Sequence, residues 1–329
     1  MKGAGVSLLI VLLSLSPIAA RCARTSATAG APSPPVNGAA DHSETPTTTI
    51  RTDLPIPSST PPAIPTLNAD DGRARFLGLL SGNGGCHLPC LWGITPGSTT
   101  YQVAESVLAA LGSISDPPPR FIPEGGVVFP IYGEGDLMLS THAAFEIDSD
   151  GDPQTVTRVG FQARQLKSIV TSEGIAIADV FDSHSFGERV GYYMLPSLLS
   201  EQGPPTSVLI ATNGGPLTRG GNGGFDILLL YPDQGLLVNY TTQMHLAGSV
   251  VRGCPSPSDG HVEMELGAPG QGGAFLRSLD KTNWAVRIGW YKSLEQATST
   301  SVEEFYLTFR EPTDGCIETP AEMWPIPEP

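Results

Sequence analysis

Apolar positions recur along this chain with two different periods, and the changes between them outline its elements. From Tyr101 to Leu111, Val103, Val107 and Leu111 fall at i, i+4 and i+8, with Ala104 and Leu108 beside them. That stripe predicts a short amphipathic helix. Ser98, Thr99 and Thr100 supply N-caps, and Gly112 sits at the C-terminal cap position. The pattern then shortens to strand-like runs at Gly126 to Tyr132, Leu137 to Ser140, His142 to Ile147 and Thr155 to Gln162. The last two flank an Asp-rich hairpin turn, Asp148 to Asp152. Ser168 to Phe181 favours neither a helix nor a strand.

The order then repeats. Gly187 to Gln202 contains a helix with Leu195, Leu198 and Leu199 on one face, stopped by Gly203-Pro204-Pro205. Val208 to Ala211 reads as a strand. Phe225 to Tyr231 and Gly235 to Thr241 form a hairpin around Pro232-Asp233-Gln234. Val262 to Leu266, Trp284 to Trp290 and Phe305 to Phe309 follow as strands, with a short helix near Ser301 to Glu304. The tail from Cys316 is Pro-rich and pinned by its cysteine. The expected fold is therefore α+β: two loosely repeated units of helix plus antiparallel β-sheet, at 76–185 and 186–329.

The N-terminus carries a different pattern. Lys2 precedes an apolar run from Val6 to Leu15, and Pro17-Ile18-Ala19-Ala20 offers small residues for cleavage. A span needs about 20 apolar residues, so residues 1–22 read as a cleaved signal peptide, with a retained signal anchor as the alternative. Cys22 is a candidate lipidation site, although Arg21 stands where lipoproteins carry Gly, Ala or Ser. Residues 23–75 read as a disordered Pro/Ser/Thr-rich tether. Nine prolines fall between Ala31 and Pro65, and such a stretch buries too little apolar surface to offset the entropy of ordering. The mature chain is thus expected outside the cytoplasm, secreted or held on the outer face of the cell membrane.

Charge narrows the partners. The chain has a formal net charge of -15. Removing residues 1–22 takes away Lys2 and Arg21 and no acid, leaving about -17. Nucleic acid and anionic lipid head groups are repelled, and membrane contact is expected only through the N-terminal anchor. Of five cysteines, Cys22 lies at the export boundary and four lie in the folded part. An even number in an exported domain predicts two disulfides. The favoured pairs are Cys86–Cys90 and Cys254–Cys316, with crossed pairings left open by spacing. The longer loop contributes about 4 kcal/mol in the chain-entropy model.

The run Cys86-x-Leu88-Pro89-Cys90-x-Trp92-Gly93-Ile94-x-Pro96-Gly97 resembles the hallmark of uncharacterised exported, lipoprotein-like proteins of environmental bacteria. Leu199 through Val208 and Leu229 through Tyr240 are similar to that family's later helix end and hairpin. The resemblance implies family membership and carries no activity with it. Pro96-Gly97-Ser98-Thr99 with Val103, Val107 and Leu111-Gly112 is also similar to the outer-membrane assembly lipoproteins and the β-lactamase inhibitor protein, which implies a binding or scaffolding module.

Few residues carry chemistry. Cys86, His87 and Cys90 offer soft ligands for copper or a dithiol for redox work, against a structural disulfide. Asp148, Asp150 and Asp152 lack the full ligand set of a Ca²⁺ loop. Asn213 to Gly224 is glycine-rich but lacks the Lys-Ser/Thr end of a phosphate loop and precedes a strand. His42, His87, His142, His184, His245 and His261 form no zinc spacing, and no Gly-x-Ser-x-Gly elbow occurs. His261, Glu263 and Glu265 alternate along a strand and place acids on one face. Trp92, Trp284, Trp290 and Trp324 serve either the core or a binding patch, with core packing favoured for Trp92. No catalytic residue, cofactor or metal is expected. The leading reading is an exported binding or scaffolding protein with an unidentified protein or envelope partner. The alternative is a thiol-redox or copper-handling protein built on Cys86 and Cys90.

Overall fold

Local chemistry sets the helix ends. The computed structural model describes residues 67–324 apart from 110, 112–119, 123–125, 129–131, 135–136, 149–152, 172–173, 180–183, 214–222, 256–259, 280–287 and 289. Helix α1 (Ala69–Gly82) starts at Asn68, whose side chain accepts the Asp71 N–H, and stops at Asn83 with φ 53°. α2 is Tyr101–Ala109. Strands β1 (Arg120–Ile122), β2 (Gly126–Val128), β3 (Tyr132–Glu134), β4 (Leu137–Asp148), β5 (Thr155–Thr171) and β6 (Gly174–Asp179) follow. Then come α3 (His184–Val190), α4 (Leu195–Gln202), β7 (Ser207–Asn213), β8 (Gly224–Tyr231), β9 (Leu236–Ala247), β10 (Val250–Gly253) and β11 (His261–Gly267). The chain closes with α5 (Gly272–Leu279), β12 (Lys292–Ser293), α6 (Leu294–Ala297), α7 (Val302–Phe309) and β13 (Ile317–Pro320).

The strands join one antiparallel sheet in the order β1-β2-β4-β5-β11-β9-β8-β7-β12, with β3, β6, β10 and β13 paired alongside. The seam is the β5–β11 pair, in which Phe161 faces Met264 and Gly160 faces Glu265. Outward from that seam the chain order runs backwards on both sides: β5, β4, β2, β1 and β11, β9, β8, β7. Beyond these runs, β12 extends the sheet past β7 and β6 pairs with β5. The halves share one sheet and one core, and the fold class is α+β as expected.

Period-2 alternation sorts the sheet's two faces. One face carries Phe145, Val159, Phe161, Val262, Met264, Val238, Tyr240, Ile227, Leu229, Val208 and Ile210, all buried. Phe76, Leu80, Leu108, Phe186, Leu198, Leu199, Leu294, Phe305 and Phe309 from the helices close over it. The other face buries a smaller patch, Leu228, Leu230 and Leu237, beneath Phe275 and Leu279 of α5. Elsewhere this second face is polar.

Several elements differ from the pattern-based expectation. α1 begins at Ala69, inside the stretch assigned to the tether; its apolar positions Phe76, Leu79 and Leu80 are diluted by Gly and Arg, which hides the stripe. In α2 the buried line is Ala104, Leu108 and Leu111, while Val103 is 50% exposed. Leu137 to Ser140 and His142 to Ile147 form one strand, β4. Gly187 to Gln202 splits at Met194 (φ -70°, ψ 152°), giving α3 and α4. Phe305 to Phe309, expected as a strand, is helical. Ser301 and Glu304 form a capping box, and Phe305 and Phe309 stack one turn apart on the buried side. The tail is pinned through β13, which pairs with β10. Residues 1–66, including the signal segment, Cys22 and most of the tether, lie outside the described residues, as do the Asp-rich turn from 149, the loop 214–222 and Trp284. No helix among the described residues is long and apolar enough to cross a membrane.

Gly235 (φ +66°) turns the β8–β9 hairpin, and its carbonyl accepts the Gly267 N–H at 2.7 Å. A Cβ there would strike the Gly267 carbonyl, whereas one at Gly248 (φ +65°) would meet open space. We expect Gly235→Ala to cost about 2 kcal/mol or more, from left-handed strain plus collision, and Gly248→Ala about 1 kcal/mol from strain alone. Urea denaturation at matched m-values measures both; equal losses would refute the contact.

Candidate functional site

The cysteine-bearing loop folds around a buried amide. Cys86 is bonded to Cys90, and Cys254 to Cys316. These pairs match the favoured connectivity and fit an oxidising, extracytoplasmic compartment. Asn83 is 0% exposed. Its Nδ2 donates to the carbonyls of Cys86 and Cys90, each at 2.8 Å. Its Oδ1 accepts the Trp92 N–H at 3.0 Å and faces the Tyr193 hydroxyl at 3.1 Å. All four bonding positions of the amide are used. Trp92 has φ 57°, a costly backbone for a bulky residue. It is held there by Trp92 Nε1 donating to Tyr193 Oη at 3.0 Å and by edge-on contacts with Phe76 and Phe161. Cys86, Leu88, Cys90, Trp92 and Ile94 thus work as a packing unit.

Beside this loop, His87 is displayed to solvent, its Nδ1 2.7 Å from Glu201 Oε1. Tyr192 donates its hydroxyl proton to the same oxygen at 2.7 Å or to the Cys86 carbonyl at 3.2 Å. Burial, and then the bond to Glu201, push the Tyr192 phenol up to about 12. Tyr193, Tyr231 and Tyr240 are raised as well, each chiefly by burial.

The second face of the sheet gathers the polar side chains. Pairing registers place Asn239, Glu263 and Gln162 side by side across β9, β11 and β5. Glu265 lies over Gly160, where a Cβ would sit 3.5 Å from both carboxylate oxygens. Arg158 is held between two acids. Its Nη2 donates to Glu146 Oε1 at 2.6 Å, and its Nε is 3.6 Å from Glu265 Oε2. Arg158 and Glu265 side chains are each 15% exposed, Glu146 47%. Nearer α5, Asp226 accepts the Thr241 hydroxyl at 2.6 Å, and the Tyr291 hydroxyl lies 3.3 Å from Asp226 and 3.2 Å from Asn239.

Arg158 and Glu146 border a cleft of about 340 Å³ whose other lining residues are Gly97, Thr157, Gly267, Ala268, Gln271, Ala274 and Phe275. Gly97, the last residue of the cysteine motif, donates to Val156 O at 2.7 Å and abuts Ala268. The motif therefore ends as one wall of the cleft.

The predicted residues distribute as follows. His261, Glu263 and Glu265 come together on the polar face. Cys86, His87 and Cys90 lie in the separate loop beside α4. Trp92 and Trp324 are buried and Trp290 is 71% exposed. His142 and His184 begin or lie within β4 and α3, and His245 sits on β9. Among the described residues no three His, Cys, Asp or Glu side chains are grouped to hold a metal ion. Sequence reasoning missed Arg158 and Glu146. Their only local signal is that each alternates with a buried Val159 or Phe145 around the hairpin. It also missed Asn83, a lone polar residue in a Gly-rich stretch.

Asn83→Ala removes four hydrogen bonds and leaves the Trp92 N–H and the Cys90 carbonyl without the amide that satisfies them, and we expect a loss of about 3 kcal/mol in chemical denaturation. Alkaline titration gives a second check. The fold holds the Tyr192 phenol protonated, so that contribution is intact below the ordinary value near 10. It is lost as pH rises from there to about 12. Absorbance at 295 nm should show Tyr192, Tyr193, Tyr231 and Tyr240 silent at pH 10, and a full tyrosine transition there would refute their burial. The chain matches no protein-family model, no curated protein and no solved structure.

Proposed function

We propose that this is an exported, non-catalytic binding or scaffolding protein of the cell surface, and that the cleft beside Arg158 is where it engages its envelope partner. The cleft itself carries the reading. It is concave and of ligand size, and regular elements set it: β4, β5, β11 and α5, with the turn at Gly97 that follows the disulfide-closed loop. The polar face around it supplies orienting groups. The acidic chain argues against a nucleic-acid partner. Residues 1–22 would direct export, with Cys22 lipidated or the signal removed, and the Pro-rich segment would space the folded body from the surface.

The competing reading uses Cys86, His87 and Cys90 for copper or thiol exchange. What supports a structural role instead is Asn83, which ties both cysteine carbonyls into the core. We expect the mature, non-reduced protein to show no titratable thiol beyond Cys22 after denaturation, and no stoichiometric copper. On intact cells, a photoreactive side chain at Gln271 should cross-link an envelope component, and Ala274→Trp, which fills the cleft, should abolish that product without lowering Tm. A cross-link indifferent to the filled cleft would overturn the binding reading, and recovery from the cytoplasm with all cysteines reduced would overturn export. The mass of the mature N-terminus separates a lipid-modified Cys22 from a free one.

A further inference from the structure

Taking the cleft as the binding site, we propose that it receives a carboxylate attached to an apolar body, and that the Glu146 carboxylate is the built-in competitor for that group. A guanidinium presents a planar fork of donors that matches a carboxylate two bonds at a time. In this protein Glu146 engages the fork through Nη2 alone, at 2.6 Å. Nη1 is buried and makes no hydrogen bond. A buried guanidinium donor without an acceptor is costly. A carboxylate that takes Glu146's place and spans Nη1 and Nη2 makes the bond that Glu146 leaves unmade.

The two acids flanking Arg158 differ in a way that fits this exchange. Glu265 is 15% exposed and lies along the sheet over Gly160, so it stays as the permanent counter-charge. Glu146 is 47% exposed and sits where the β4–β5 register shifts, so it can turn into water at little cost. Swapping one carboxylate for another leaves the local charge on Arg158 balanced. This matters in a chain of net charge -15, which otherwise repels anions. Among the remaining walls Thr157 and Gln271 are polar, while Gly97, Gly267, Ala268, Ala274 and Phe275 are small or apolar and suit a hydrocarbon or aromatic group. About 340 Å³ admits only a small body. A free organic acid and the C-terminal residue of a peptide share this chemistry.

Calorimetric titration of the full-length protein separates the cases. The probes are hexanoate against hexanamide, and N-acetyl-alanyl-phenylalanine against its C-terminal amide. The acids should bind at least about tenfold more tightly than the amides, as expected for a charge-assisted fork. Preference for hexanoate assigns a free acid, and preference for the peptide assigns a chain terminus. Glu146→Ala should raise affinity for the acid about fivefold, because it removes a partly exposed competing ion pair. Ala274→Trp should abolish binding. Glu146 lies on the surface, so its variant folds, and circular dichroism checks that. Equal binding of acids and amides, no binding of either, or an unchanged or lower affinity in Glu146→Ala would each overturn the proposal. Those outcomes leave the Gln271 cross-link untouched, so failure here is distinct from failure of the cleft as an envelope-binding site.

Discussion

The structure depends on one buried amide. Asn83 ends α1 in a left-handed conformation and turns its side chain into the core, where it meets four partners, three from the cysteine loop and one from the turn between α3 and α4. The cysteine loop's own backbone bonding is sparse: a turn bond from Cys90 N–H to the His87 carbonyl and a small bridge between Leu91 and Ile94. Its backbone groups must be satisfied by something else if they are buried. Asn83 does this, and in doing so fixes Trp92 in a backbone region that a bulky residue does not choose. Trp92 then sets Tyr193 and Phe161, and Tyr240 donates its hydroxyl to the Tyr193 carbonyl at 2.8 Å. A single polar residue thereby links α1, the loop, the turn between α3 and α4, and the strands β5 and β9.

The same segment reaches the cleft. Ile94 is fully buried, Pro96 turns the chain outward, and Gly97 packs on Ala268 at the cleft. Positions that look like a metal or redox motif therefore connect the core to the cleft. The disulfide closes this loop, but the amide orients it. A Cys-x-x-x-Cys spacing with a neighbouring histidine is the same whether the sulfurs do chemistry or hold a turn.

The sheet separates an apolar face from a largely polar one. One face is apolar and covered by helices, so it supplies the burial that folds the protein. The other is only partly covered by α5 and keeps Arg158, Glu146, Glu263, Glu265 and Gln162 near water. Period-2 alternation made half of this visible. His261, Glu263 and Glu265 stand out in β11 because they alternate with Val262, Met264 and Leu266. Arg158 and Glu146 do not, since which charge lies opposite which depends on pairing across a hairpin with a register shift.

By itself the sequence determined the α+β class, the hairpin around Pro232, the buried face of α4 and the expectation of two disulfides among the four folded cysteines. Each of these rests on local periodicity, turn residues or a count, which neighbouring residues settle among themselves. Only the tertiary structure decided that both halves share one sheet through β5 and β11. It alone placed Arg158 between Glu146 and Glu265 at a cleft. Those features depend on residues from 12 (Glu146–Arg158) to 107 (Arg158–Glu265) positions apart. Local periodicity does not say which of these distant residues meet.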